Sequence, residues 1–251
     1  MTHVVLAIDT ATVTASAALW RGEVLATSTQ DSSGHSSELL PMIDAMCRAQ
    51  EITPQQLTAV AIGLGPGSFT GLRIGMATAK GIAFAAGLDM WGVSSLAAVA
   101  LQMADALTVA QRATTLLVPI LDARRSEVFV GAYRSVGVDR VAAVIAEEVF
   151  APEGVTAHVA KAQAVGTELT AVAVAGDGLV EFADVLGGLA FAKLPPLTPC
   201  AGAVARLAVA GEHVNMRDHG TPVYIRPSEA EVNYPNGVPG ALRTPPASAN
   251  S

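Results

Sequence analysis

Residues 57–64 (LTAVAIGL) form an unbroken apolar run that passes into GPGSFTG at 65–71, then into a helical pattern of small residues, LRIGMATAKGIAFAA, at 72–86. An apolar run of this length, ended by glycines and followed at once by a helix, reads as a buried strand of an α/β sheet. Glycines at 63, 65, 67 and 71 permit positive φ and close backbone approach, while Pro66 stiffens the turn and removes one donor. The N–H groups of Gly67, Ser68 and Phe69 are expected to point outward at the helix N-terminus, a geometry that draws anions. The same residues also fit a tight strand-to-helix connection with no ligand. The loop is not a P-loop, since Leu72-Arg73 follows Gly71, and no G-x-G-x-x-G dinucleotide pattern occurs here.

Upstream, three strands are expected at 4–8 (VVLAI), 14–20 (TASAALW) and 24–29, with a turn at Arg21-Gly22-Glu23. A helix follows over 37–50, capped by Ser36 or Ser37, with Pro41 in its first turn. A short strand at 89–93 and a helix at 94–106 complete this unit. The opening pattern then returns. TLLVPILDARRSEVFVGAYR at 115–134 lies over HVVLAIDTATVTASAALWR at 3–21, so that Leu121-Asp122 answers Ile8-Asp9. AVAVAGDG at 171–178 likewise resembles the strand that runs into the glycine loop. Two lobes are expected, at 1–110 and 111–232, the second poorer in helices, with a flexible tail at 233–251.

Charge and cysteine content exclude several classes. The 251 residues carry a net charge of −7, and both halves are acidic on balance, which argues against unaided tight binding of nucleic acid. Cys47 and Cys200 are the only cysteines, too few and too far apart for a disulfide scaffold or a thiolate zinc site. No apolar stretch reaches the roughly 20 residues of a membrane helix, and MTHVVLAIDT lacks the basic start of a signal peptide. A cytoplasmic protein is expected.

Asp9-Thr10, at the end of the first strand, could hold magnesium through water or simply form an Asx turn. Asp122 and Asp177 are the other carboxylates at strand ends. The helices at 37–50 and 72–86 are both strongly apolar. Leu39, Met42, Ile43 and Met46 recur at spacings of three and four on the first. On the second, Gly75, Ala79 and Ala83 leave a smooth stripe beside Arg73 and Met76. Packing on the sheet accounts for one apolar face; an association surface is expected from the excess, with Met42→Glu plus Met76→Glu sparing the fold.

GLGPGSFTGLRIGMATAKGIA, with HSSELLP before it, VSSL after it, IDTAT at 8–12 and YIRPSEAEV at 224–232, resembles the TsaB (YeaZ) family over residues 4–231. The resemblance implies an α/β fold of the actin/Hsp70/sugar-kinase class, two lobes each beginning with a strand meander. It makes Asp9, Thr10, Gly65, Gly67 and Ser68 the remnant of a nucleotide loop. The catalytic relative, TsaD, carries an H-x-x-x-H metal motif where this chain has Ser95 and Val99. The five histidines, His3, His35, His158, His213 and His219, include no pair four apart, and imidazole donors are what such a metal requires. The resemblance therefore implies a non-catalytic subunit in synthesis of N6-threonylcarbamoyladenosine at tRNA position 37. It would pair with a TsaD-like subunit and a TsaE-like ATPase and meet tRNA only through the complex; alone, the same apolar patch could pair with itself as a homodimer. No cofactor is required by the chain itself, with ATP or ADP expected at a subunit boundary of the complex. The alternatives are an active phosphotransferase of the same fold class and a peptidase-like protein.

Overall fold

A computed structural model describes residues 3–31 and 38–216, together with Thr221 and Ile225. The expected Ser36 or Ser37 cap, the 224–232 motif apart from Ile225, and the expected tail lie outside the described residues.

The first half runs β1 (Val5–Asp9), β2 (Thr14–Trp20), β3 (Val24–Asp31), α1 (Leu39–Ala49), β4 (Ala59–Gly63), α2 (Phe69–Ala86), β5 (Asp89–Val93) and α3 (Ser95–Asp105). After a short α4 (Val109–Thr114), the second half runs β6 (Thr115–Asp122), β7 (Val128–Gly137), β8 (Arg140–Phe150), α5 (Val155–Val165) and β9 (Ala171–Ala175). Two single turns, α6 (Gly178–Glu181) and α7 (Ala183–Leu186), lead to β10 (Ala192–Lys193), α8 (Ala201–Val209) and β11 (Val214–Asn215).

The repeat read from the sequence is a repeat of topology. One sheet has the order β11-β5-β4-β1-β2-β3 and the other β10-β9-β6-β7-β8. In each, a meander of three antiparallel strands adds two parallel strands beside its first member. The register places Asp9 at the end of β1 and Asp122 at the end of β6. This duplicated arrangement is the actin/Hsp70/sugar-kinase fold.

Strand alternation sorts side chains into layers. Leu6, Ile8, Val60 and Ile62 face α1 and α2, whereas Val5, Ala7, Ala59 and Ala61 face the middle of the molecule. The middle layer holds α3 and α8, and it is crossed over. Helix α3, from the first half, packs on β6, β7 and β8; α8, from the second, packs on β1 and β2. Leu96, Leu101, Val204 and Leu207 join Leu117, Leu121 and Phe129 of the other sheet in one apolar cluster. Each fully buried Leu, Ile or Val of this kind contributes roughly 1.5–3 kcal/mol. Helix α5 covers the far face of the second sheet through Val155, Val159 and Ala162.

Both helices expected to form an association surface differ from the expected limits. Helix α2 begins at Phe69, because Ser68 caps it with its side chain accepting from the Gly71 N–H. Helix α1 spans Leu39–Ala49, with Glu38 at its N-cap and no side-chain cap bond. Among the described residues no helix is long and apolar enough to cross a membrane.

Candidate functional site: the Asp9 turn and the glycine loop

Strands β1 and β4 are parallel neighbours, with Ile8 opposite Ile62, so the Asp9 turn and the glycine loop leave the sheet side by side. Glycines at 63, 67, 71 and 75 then allow contact. A Cβ on Gly63 would lie 1.9 Å from Asp9 Oδ2, on Gly67 2.2 Å from the Ala11 carbonyl oxygen, on Gly71 2.2 Å from that of Thr10, and on Gly75 2.2 Å from Thr10 Oγ1. The loop and the first two turns of α2 are thus pressed onto residues 9–11. Gly65 has φ of +93°, open to glycine alone without strain.

Hydrogen bonds complete the contact. The Ser68 N–H donates to the Ala11 carbonyl at 2.7 Å, which corrects the expectation that this donor faces outward. Thr10 Oγ1 donates to the Gly71 carbonyl at 2.8 Å. The Ala11 N–H donates to Asp9 Oδ1 at 2.8 Å, and Ser95 Oγ donates to Asp9 Oδ2 at 2.7 Å. Ser95 Oγ in turn accepts from the Gly65 N–H at 3.1 Å, and the Ser95 N–H donates to the Gly65 carbonyl at 2.9 Å. Asp9 is 0% exposed. Burial pushes its carboxyl up to about 6, against the opposing pull of the Ser95 hydroxyl and the Ala11 N–H. The structure therefore brings Asp9, Thr10, Gly65, Gly67 and Ser68 together, but engages them with one another.

The position matched to the metal motif is occupied by the same network. The Ser95 hydroxyl serves Asp9 and Gly65, and Val99 is a fully buried member of the central apolar cluster. Neither supplies the imidazole that iron or zinc of that kind needs, so these residues do not fit a metal. Among the described residues no group of three or more His, Cys, Asp or Glu side chains converges as a metal site.

The second half carries a counterpart. The Asp122 N–H donates to Asp177 Oδ1 at 2.9 Å, and the Arg124 N–H donates to Asp122 Oδ1 at 2.7 Å. The Arg124 guanidinium lies 3.0 Å from Asp122 Oδ2. Burial holds the Asp177 carboxyl above the usual range. The two other carboxylates that a phosphotransferase reading would need are thus also tied to their own turn.

Most residues expected on an association surface are buried. Leu39, Ile43, Met46, Met76, Ala79 and Ala83 are buried against the first sheet, and Gly75 is buried against Thr10. Met42 is half-buried in the same cluster. Only Arg73 of the expected set is exposed, its guanidinium 3.8 Å from the Phe69 ring centroid. The outer face of α2 instead presents Arg73, Ala77, Lys80 and Phe84, with Leu40 exposed on α1. The exposure of Leu40 and Phe84 was not foreseen, although 73, 77, 80 and 84 recur at helical spacing opposite the small-residue stripe. It also missed that the stripe faces inward: glycine and alanine let α2 approach a sheet as closely as another helix.

Known proteins match much of this chain. The family model of TsaD, tRNA N6-adenosine threonylcarbamoyltransferase, matches residues 24–194, about two thirds of the chain. The solved structure of YeaZ from Pseudomonas aeruginosa is 29% identical with a TM-score of 0.73, over 88% of this chain and 99% of that one. The chain belongs to the TsaB/YeaZ family. Within the family, the tRNA threonylcarbamoyladenosine biosynthesis protein TsaB of Escherichia coli is 40% identical over 131 residues, 52% of this chain and 54% of the relative. That of Haemophilus influenzae is 40% identical over 125 residues, 49% of this chain and 51% of the relative. The matched stretch thus spans about half the length of these relatives.

Proposed function

We propose that the chain is a non-catalytic subunit in synthesis of N6-threonylcarbamoyladenosine at tRNA position 37, acting in the cytoplasm and pairing with a TsaD-like catalytic subunit. The observation that carries this reading is the internal engagement of the glycine loop. The Ser68 N–H, both Asp9 oxygens and the Ser95 hydroxyl are bonded within the chain. A loop so occupied offers a phosphate few donors, and its partner carboxylate is out of reach of solvent. The names of the TsaB relatives support the pathway.

The pairing surface is drawn from the outer face of α2 (Arg73, Ala77, Lys80 and Phe84) and the exposed Leu40 of α1. Exposed large apolar side chains beside a cation suit burial against a partner helix. Alone, the same face would pair two copies. A TsaE-like ATPase would join the pair, tRNA would contact the complex through the catalytic subunit, and ATP or ADP would sit at a subunit boundary. The phosphotransferase alternative loses support from the buried Asp9 and the tied Asp122 and Asp177. The peptidase alternative loses it at Ser68, whose hydroxyl caps α2.

Reconstitution tests the proposal. The chain should co-elute with the TsaD-like protein of its own organism. Transfer of threonylcarbamate to tRNA by the remaining components should require it, and Phe84→Glu should weaken co-elution without unfolding the chain. Transfer by this chain alone, or full activity of the mixture without it, would refute the assignment.

A further inference from the structure

The turn from β5 into α3 places two serines in succession, and they reach in opposite directions. Ser95 bonds to Asp9 and Gly65 of the first half. Ser94 caps α3, accepting from the Ala97 N–H at 3.1 Å, and donates its own proton to Glu147 Oε1 on β8. Tyr133, on β7, donates to the same carboxylate oxygen, and its hydroxyl lies 3.3 Å from Ser94 Oγ. Tyr133 is buried and Glu147 partly so. One turn is therefore bonded to the β1 end of one sheet and to the β7–β8 ribbon of the other.

We propose that Ser94 and Ser95 form a two-sided latch that fixes the second sheet against the first, so that the chain behaves as one rigid body and not as two hinged lobes. A second tie links the two sheets elsewhere. Arg206, on α8 beneath the first sheet, donates from Nε to Asp139 Oδ1 at 2.7 Å in the β7–β8 turn. Its Nη2 also donates to Asp105 Oδ1, at the end of α3, at 3.1 Å. Charge-assisted bonds of this kind, on a half-buried guanidinium, are stronger than exposed pairs. Between the ties runs the apolar cluster shared by both sheets, α3 and α8. Lobes joined by a large apolar interface do not move freely, whereas small polar interfaces permit hinging. Burial holds the Tyr133 phenol well above its usual range, so Tyr133 keeps the proton that it donates to Glu147, whose own carboxyl burial also raises. The inference is independent of the proposed partner.

Spin labels on the two halves read the latch directly. In the full chain carrying Cys47→Ser and Cys200→Ser, Gln55→Cys and Ala160→Cys place labels at exposed positions on opposite sides of the central layer. Dilution with unlabelled chain isolates the intramolecular distance. Pulsed dipolar spectroscopy should give one narrow distribution. Ser94→Ala combined with Glu147→Gln should broaden it or add a second peak, and Arg206→Gln should broaden it further. Tyr133→Phe, which keeps the ring in the core and removes one donor, should broaden it more mildly in a chain that remains folded. A broad or two-peaked distribution in the parent, or an unchanged one in the folded Tyr133→Phe or double variant, would overturn the latch.

Discussion

The two halves of the molecule solve the same local problem with different balances of close packing and charge. Each must hold the turn after its first strand against the loop after its fourth. In the first half, glycines at 63, 67, 71 and 75 bring the loop and α2 into contact with residues 9–11, and Asp9 is sealed beneath them. In the second half a Cβ on Gly176 would lie 1.9 Å from the Ile120 carbonyl oxygen, the Asp122–Asp177 bond and the Arg124 ion pair are added, and only the single turns α6 and α7 stand between β9 and β10. The first clasp rests on close packing; the second adds an ion pair whose guanidinium is exposed although its Asp122 carboxylate is largely buried. The family's recognisable glycine motif belongs to the first kind, which is why it reads like a ligand loop and behaves like a joint.

The largest expected effect comes from breaking the packed clasp. Gly71→Ala sets a methyl group against the Thr10 carbonyl, and a backbone clash of this kind should cost more than about 3 kcal/mol in urea unfolding. A loss under about 1 kcal/mol would show that the turn yields. Next, the two sides of α2 should separate cleanly. Met76 is 5% exposed and Phe84 92%. Met76→Glu should lower stability by at least the roughly 2–5 kcal/mol of a Met→Ala change in a core, reversing the sequence-based expectation that it spares the fold. Phe84→Glu should change stability by about 0.5 kcal/mol or less yet weaken partner binding, as thermal melts and co-elution would report.

The third prediction concerns pH. Asp9 has an ordinary value of 3.8, raised by burial to about 6 in the folded chain. The folded state therefore binds the proton more tightly. The resulting stability is fully present below 3.8 and is lost as pH rises through about 6. Between pH 3.5 and 7 the loss amounts to about 3 kcal/mol. Asp9→Asn, which imitates the protonated form, should gain stability relative to the parent as pH rises across that window. A difference independent of pH would mean that Asp9 titrates like an exposed carboxylate. The smallest effect is expected at the charged clasp. The Arg124 side chain is 66% exposed, so Arg124→Ala should cost no more than about 1 kcal/mol and less in high salt.

Strand order was legible from the sequence because both meanders pair neighbouring strands, and because an apolar run ending in Asp recurs at Asp9 and Asp122. The glycine loop was legible as a place of close approach. What approaches it was not, since the Ala11 carbonyl and Thr10 lie more than 50 residues earlier and only the pairing of β1 with β4 brings them there. The orientation of α2 was misjudged for a related reason. Small residues mark a face that comes close to something, and Gly75, Ala79 and Ala83 fit a partner helix as well as they fit this chain's own sheet. The bond from Ser94 to Glu147 spans 53 positions, with no local pattern to announce it.

Calorimetric titration of magnesium-ATP into the isolated chain is the most direct test of the engaged loop. The account predicts no saturable heat at millimolar nucleotide, because the Ser68 N–H and both Asp9 carboxylate oxygens are already bonded within the protein. Submicromolar binding with one-to-one stoichiometry, lost on Asp9→Asn, would contradict it.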